Sequence, residues 1–254
     1  MAQGVFSSIT RMGTIEPFDL QVARGHITGH TAIFRTAYSA NVSSAGTYAL
    51  WPRASTYTFP PSASVMKLSS ATAGDIGQVI LVQGLDANYD VQTETIVLDG
   101  QTPVNSVNSY LRINGLVVLT DGPTGPIYFG TGNVTAGVPQ NVYGFIASGD
   151  NNMLAAVYTV PRGYTLYIQG GSVSSVLANA NKIMTINFNG VYNGVDYRTA
   201  KIVTGGGYQY FPYTPPIAVP ETYDLLDTVT STDTQAGSVA VNLSGILIKN
   251  NSQA

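Results

Sequence analysis

Apolar and polar positions alternate with a period of two over most of this chain, the pattern of strands that bury one face. It is clearest from Gly77 to Val118, where Gln78–Gln83, Thr93–Leu98 and Tyr110–Leu119 read as strands. The breaks between them hold Gly, Asp, Asn and Pro, which supply positive φ, side-chain-capped turns and a fixed φ of about −65°. A strand meander is predicted. Val79–Val82 is a continuous apolar run and reads as a strand buried on both faces, and Asp99-Gly100 reads as a turn. Just upstream, Val65, Lys67 and Ser69 alternate with Met66, Leu68 and Ser70, as in a strand with one wet face.

The second half repeats the pattern in shorter pieces. Met153–Val160, Tyr164–Gln169, Ile183–Phe188, Tyr197–Thr204, Gln209–Tyr213, Tyr223–Thr230 and Ser238–Lys249 read as strands. Asn189-Gly190, Asn193-Gly194 and Gly205-Gly206-Gly207 read as turns, and Gly245 interrupts the last strand where a bulge would fit. Between Thr120 and Asn152 Gly and Pro recur, with short strands at Ile127–Phe129 and Val142–Ile146. Before Leu50 periodicity is weak apart from His30–Ala37, and this part reads as an extended arm that orders against a neighbouring subunit. The expected fold is therefore all-β: an arm over residues 1–50, a β-sandwich-like domain over 51–150 and a jelly-roll-like domain over 151–254, both antiparallel.

Composition sharpens this reading. The 254 residues are 44% hydrophobic, and 27 Gly with 13 Pro supply many turns. Only 10% are charged, against about 25% in ordinary globular chains, so the exterior must be largely hydroxyl, amide and aromatic. Contact with protein partners accounts for such a surface. A net charge of −3 offers no broad basic face for nucleic acid, and the absence of Cys removes disulfides, thiolate metal sites and cysteine catalysis. The start MAQGVFSSITRMG lacks the apolar core of a signal peptide, and no run approaches the roughly 18 residues of a membrane span, so synthesis in the cytoplasm without membrane insertion is expected.

Candidate chemistry is thin. His26 and His30 share a helix face at zincin spacing, but the central Glu is missing and Gly29 precedes the second His. On a strand they would stand about 13 Å apart, too far for one ion. Asp86 with Asp90, Asp75 with Glu94 and Glu221 with Asp224 are acid–base candidates, yet most sit in predicted turns where carboxylates cap backbone amides. No GxSxG occurs, Gly205-Gly206-Gly207 lacks the Lys-Ser/Thr of a phosphate loop, and Asp86–Asp90 lacks the Gly and terminal Glu of a calcium loop. No catalytic residue, cofactor or metal is assigned.

Aromatic residues are the remaining candidates. Tyr208, Tyr210, Phe211 and Tyr213, followed by Pro215-Pro216, read as strand packing, as a protein contact or, third, as a sugar-stacking platform. Phe18, Phe34, Arg35, Tyr38 and Tyr48 of the arm, with Trp51 beyond it, join them as expected partner-contact residues.

Gly84–Tyr89, Thr93–Val104 and Asn108–Ile113, together with Met153–Tyr164 (MLAAVYTVPRGY), resemble a family of virion structural proteins of tailed bacteriophages, those of marine and cyanobacterial phages in particular. The resemblance spans roughly Leu50 to Tyr213. It implies a non-enzymatic particle component, present in many copies, located in the virion. The function expected from it is a capsid cement or decoration protein that binds the assembled shell. Its partners would be the major capsid protein and neighbouring copies of itself in a homo-oligomer. The alternatives are a tail or portal-vertex subunit bound to tail or portal proteins, and a glycan-binding module on the particle.

Overall fold

The computed structural model describes residues 10–11, 14–53 and 55–250; residues 1–9 and 12–13 of the expected arm lie outside the described residues. The strands run β1 (Thr10–Arg11), β2 (Thr14–Ile15), β3 (His30–Val42), β4 (Thr47–Ala49), β5 (Ser64–Ser70), β6 (Ile76–Leu85) and β7 (Val91–Asp99). They continue as β8 (Val104–Tyr110), β9 (Arg112–Val118), β10 (Ile127–Thr135), β11 (Val138–Ile146), β12 (Val157–Thr159) and β13 (Tyr164–Val176). The last are β14 (Met184–Tyr192), β15 (Val195–Thr204), β16 (Gly207–Val219), β17 (Asp224–Leu226), β18 (Thr228–Ser231) and β19 (Gly237–Lys249). A short helix, α1 (Phe18–Ala23), precedes β3. The molecule is nearly all-β with antiparallel pairing, as the alternation predicts.

In the first half, β11-β10-β5-β8 form one sheet and β7-β6-β9 another. Met66, Leu68, Ile80, Val82, Tyr110 and Phe129, each fully buried, fill the core associated with them. The predicted meander is broken: β6 and β7 are a hairpin, but β8 crosses to pair with β5 before β9 returns to β6. Tyr110–Leu119 is accordingly two strands, with the chain changing sheets at Leu111. β8, VNSVNSY, is too rich in Asn and Ser to read as a strand from composition. Val79–Val82 is buried on one face only, with Ile80 and Val82 inward and Val79 and Leu81 half-covered, because an antiparallel sheet can leave one face to solvent. β10 and β11 make a nine-residue hairpin around Ala136-Gly137, both at positive φ (47° and 76°), far longer than the two short strands predicted. Gly130 hides it in the sequence: a Cβ there would lie 1.9 Å from the Asn141 carbonyl, so only Gly allows the strands to close.

In the second half, β16-β13-β19-β3 face β12-β17-β14-β18-β4, with β15 on the outside of β14. The core here includes Val173, Met184, Ile186, Val229 and Val241, continued by Leu166, Val219 and Leu247. The expected arm is overturned over residues 30–49. β3 pairs with β19 along its length and β4 pairs with β18, so residues 30–49 complete the chain's own sheets.

Two separate sandwich domains are not what forms. The four larger sheets are arranged as a four-blade, propeller-like ring, and the segment after the expected boundary at Asp150 serves both halves. Ala155 and Val157 belong to the first core, while Ala156 and Tyr158 belong to those of the second half. Alternation along one extended segment gives one face to each core. Asn189-Gly190 is not a turn either; it lies inside β14, and Gly190 is needed because the Tyr223 ring sits 1.9 Å from where its Cβ would be. The irregularity expected at Gly245 falls on the partner strand, where Gln169 is the additional residue between Ile168 and Gly170.

Candidate interaction surface

Most of the carboxylates singled out in the sequence are occupied in holding the backbone together. Asp86 Oδ1 accepts from the amides of Asn88 (2.7 Å) and Asp90 (3.0 Å), closing the β6–β7 turn. Glu94 accepts from the Val107 amide at 2.8 Å, and Glu221 from that of Gly163. Asp75, 1% exposed, accepts from the Ser70 hydroxyl (2.6 Å), the Thr124 amide and hydroxyl (2.9 and 2.8 Å) and the Gly125 amide (3.0 Å). Burial raises its pKa, but these bonds to the charged form outweigh burial and hold it below the usual range.

Asp224 meets Arg112 in a two-point ion pair, Nε to Oδ1 and Nη2 to Oδ2, both 2.8 Å. The Thr159 hydroxyl donates to Asp224 Oδ1 at 2.5 Å, and Arg112 Nη1 donates to the Pro60 and Leu111 carbonyls at 3.0 and 2.8 Å. The guanidinium stacks between Phe59 (4.9 Å) and Tyr89 (5.5 Å). Both charges are therefore fully engaged with the fold, and the pair ties β9 of the first half to β17 of the second. His26 lies 3.5 Å from Glu16, and His30 packs edge-on to Phe18. Among the described residues no three His, Asp or Glu side chains converge as metal ligands.

The surface is more informative. The outer face of β16-β13-β19-β3 is set by cross-strand register: Tyr208, Ser174, Ala240 and Tyr38 form one row, and Tyr210, Ser172, Asn242 and Thr36 the next. Pro212, Gly170, Ser244 and Phe34 form the third. Tyr208 and Tyr210, 68% and 67% exposed, stand on one rim; Phe34 and Tyr38, 69% and 38% exposed, stand on the other. Three strand spacings separate the rims, about 14 Å. The floor is small and uncharged. Across it the Thr36 hydroxyl donates to Asn242 Oδ1 (2.8 Å) and Asn242 Nδ2 to the Ser172 hydroxyl (3.2 Å), which orients the amide.

Of the predicted contact residues, this face brings together Phe34, Tyr38, Tyr208 and Tyr210. Strand alternation turns Phe211 and Tyr213 the other way, Phe211 packing edge-on to the core residue Phe188 at 5.6 Å. Arg35 also points inward: it donates to the Val157 carbonyl at 2.9 Å and lies 5.3 Å over Tyr158, with burial lowering the pKa of its guanidinium. Trp51, 1% exposed, is core, its indole N–H held by the Ser55 carbonyl and its ring against Tyr57 and Phe145. Tyr48 is half-buried and shares a hydrogen bond with the Ser43 hydroxyl, while Phe18, exposed on α1, packs edge-on to His30 at the start of β3 and is not one of the row residues. These corrections have one cause, since aromatic composition does not say which side of a strand a ring is on. The polar floor was missed, although Ala240, Asn242 and Ser244 alternate cleanly with Val239, Val241 and Leu243.

No family model matches the chain, and no curated protein does either. Among solved structures, that of the infectious bursal disease virus Gx strain is similar at 13% identity over 88% of this chain and 72% of that one, with a TM-score of 0.24. Infectious bursal virus derived T=1 particles align at 14% identity over 87% and 74%, TM-score 0.20. The infectious bursal disease virus VP2 subviral particle aligns at 13% over 87% and 76%, TM-score 0.21.

Proposed function

We propose that this chain is a non-enzymatic structural component of a virus particle, acting as a cement or decoration protein that binds the assembled capsid shell and stabilises contacts between capsomers. The observation that carries the reading is the outer face of β16-β13-β19-β3. Two pairs of exposed aromatic side chains flank an uncharged floor whose amide and hydroxyls are already oriented. Aromatic rims of this kind contribute contact area at small cost in side-chain freedom, as protein interfaces use them. The resemblance of Gly84–Ile113 and Met153–Tyr164 to phage virion proteins supports the same reading. So does the engagement of the internal carboxylates in backbone and cross-half bonds, which gives a rigid body suited to bridging neighbours.

The mechanism is mass action: a protein that binds the assembled shell and not its separated subunits stabilises the shell by the free energy of binding, summed over many copies. The partners are the major capsid protein and adjacent copies of this chain. The test is to strip the protein from purified particles and add it back. Heat resistance should fall on stripping and return on addition, with the protein recovered on the shell in hundreds of copies. Six or twelve copies per particle would place it in the tail or portal instead, and unchanged heat resistance would overturn the cement role.

A further inference from the structure

β15 pairs with β14 on one side, and among the described residues nothing pairs with its other side. A free strand edge presents unpaired N–H and C=O groups, and folded chains usually blunt such edges. The edge strands β16 and β11 carry Pro212, Pro215 and Pro216, and Pro139. β15, VDYRTAKIVT, like the sheet-end strands β3, β7 and β8, carries neither proline nor glycine, and its Val195–Thr199 is exposed throughout.

The adjoining turn decides which backbone groups face outward. Tyr192 and Val195 close the two-residue loop Asn193-Gly194, both at positive φ (51° and 75°). In such a hairpin the closing residues exchange their hydrogen bonds with each other, and the pattern alternates along the strand. The backbone of Val195 and Tyr197 is thus turned to β14, and that of Asp196 and Arg198 outward. Phe188 pairs with Ala200 and Asn189 with Arg198, so Thr199 is the additional residue of a bulge and ends the regular edge.

We propose that two copies of this chain pair edge to edge through β15, antiparallel about a two-fold axis at Tyr197. In that register Asp196 of each copy lies opposite Arg198 of the other. The outward N–H and C=O groups of these two residues then form two reciprocal hydrogen-bonded pairs, and each pair carries opposite charges. The segment Asp196-Tyr197-Arg198 is self-complementary when read against its own reverse, as a two-fold contact requires. Neighbouring registers of the same parity set Asp196 against Asp196 or Arg198 against Arg198, so charge selects this one. Within the chain neither residue is in an ion pair among the described residues, and Arg198 has one long hydrogen bond, 3.3 Å to Asn189 Oδ1. Tyr197, 47% exposed, faces its own copy at the axis, and Val195, 52% exposed, flanks it on the same face of the strand.

This inference rests on β15 alone and stands whether or not the particle reading holds. Sedimentation equilibrium of the full chain tests it, with circular dichroism confirming that each variant is folded. The wild-type chain should dimerise reversibly, and D196R and R198D should each weaken the dimer by about tenfold or more, since each sets like charges against each other. The double variant D196R/R198D restores both opposite pairs and should recover the dimer, and an equimolar mixture of the two single variants should form a heterodimer. A wild-type monomer up to millimolar concentration, a trimer, or a dimer indifferent to both single substitutions would overturn the proposal.

Discussion

Arg112 and Asp224, 112 residues apart, meet in a two-point ion pair with both contacts at 2.8 Å. The pair is buried, so removing one partner leaves the other charge without compensation. Arg112→Met and Asp224→Asn should each cost about 3–5 kcal/mol, measured by urea unfolding. The double variant Arg112→Met/Asp224→Leu should cost less than Arg112→Met alone. Equal losses in the single and double variants would show that the ion pair is not what joins β9 to β17.

Two buried aspartates should give stability opposite dependences on pH. Asp227 is 2% exposed, one of its oxygens has no partner, and burial raises its pKa well above 3.8 against a smaller opposing bond from the Asn189 backbone. Its folded pKa exceeds its unfolded one, so its contribution is fully present below about pH 4 and is lost as pH rises through the folded pKa. Asp227→Asn should therefore raise the urea midpoint at pH 7 and leave it little changed at pH 4.

Asp75 has the reverse sign. Its folded pKa is held below 3.8 by hydrogen bonds that outweigh burial, so its contribution is present above the unfolded pKa and lost as pH falls through the folded value. Asp75→Ala should cost about 2–3 kcal/mol at pH 7 by leaving the Thr124 and Gly125 amides unpaired. The loss should shrink in acid, and an equal loss at pH 7 and at pH 3 would refute the assignment.

Gly190→Ala forces a methyl group into the Tyr223 ring and to 2.6 Å from the Asp224 carbonyl. It should lower stability by about 2 kcal/mol or more. Gly74→Ala has nothing within 4 Å of the added carbon and should change stability by less than about 0.5 kcal/mol. Thermal unfolding of the two variants side by side is the check.

The aromatic residues of β16 should separate by parity. Tyr208→Ser and Tyr210→Ser should leave unfolding within about 0.5 kcal/mol of wild type, since both rings are exposed. Phe211→Ala should cost about 3 kcal/mol because its ring packs on Phe188. In the particle assay Tyr208→Ser and Tyr210→Ser should reduce shell occupancy, while equal loss of stability in all three would contradict the two faces.

The amino-acid sequence by itself determined the fold class and much of the strand-level detail. Alternation in β5 and β19 told which residues turn inward, and Asn193-Gly194 is the turn it looks like, because side-chain period and turn chemistry are local properties of the backbone. Which sheet a strand joins is not local. It was decided by partners far along the chain: β3 by β19, β8 by β5, and Arg112 by Asp224. Asn189-Gly190 shows the limit in one dipeptide, since the same residues that make a turn elsewhere are held in a strand by a ring brought in from Tyr223. The contact surface divides the same way. The sequence supplied the aromatic residues, and only tertiary packing set Phe34 and Tyr38 across an uncharged floor from Tyr208 and Tyr210 while closing Trp51, Arg35 and Phe211 into the interior, because burial depends on which face another sheet covers.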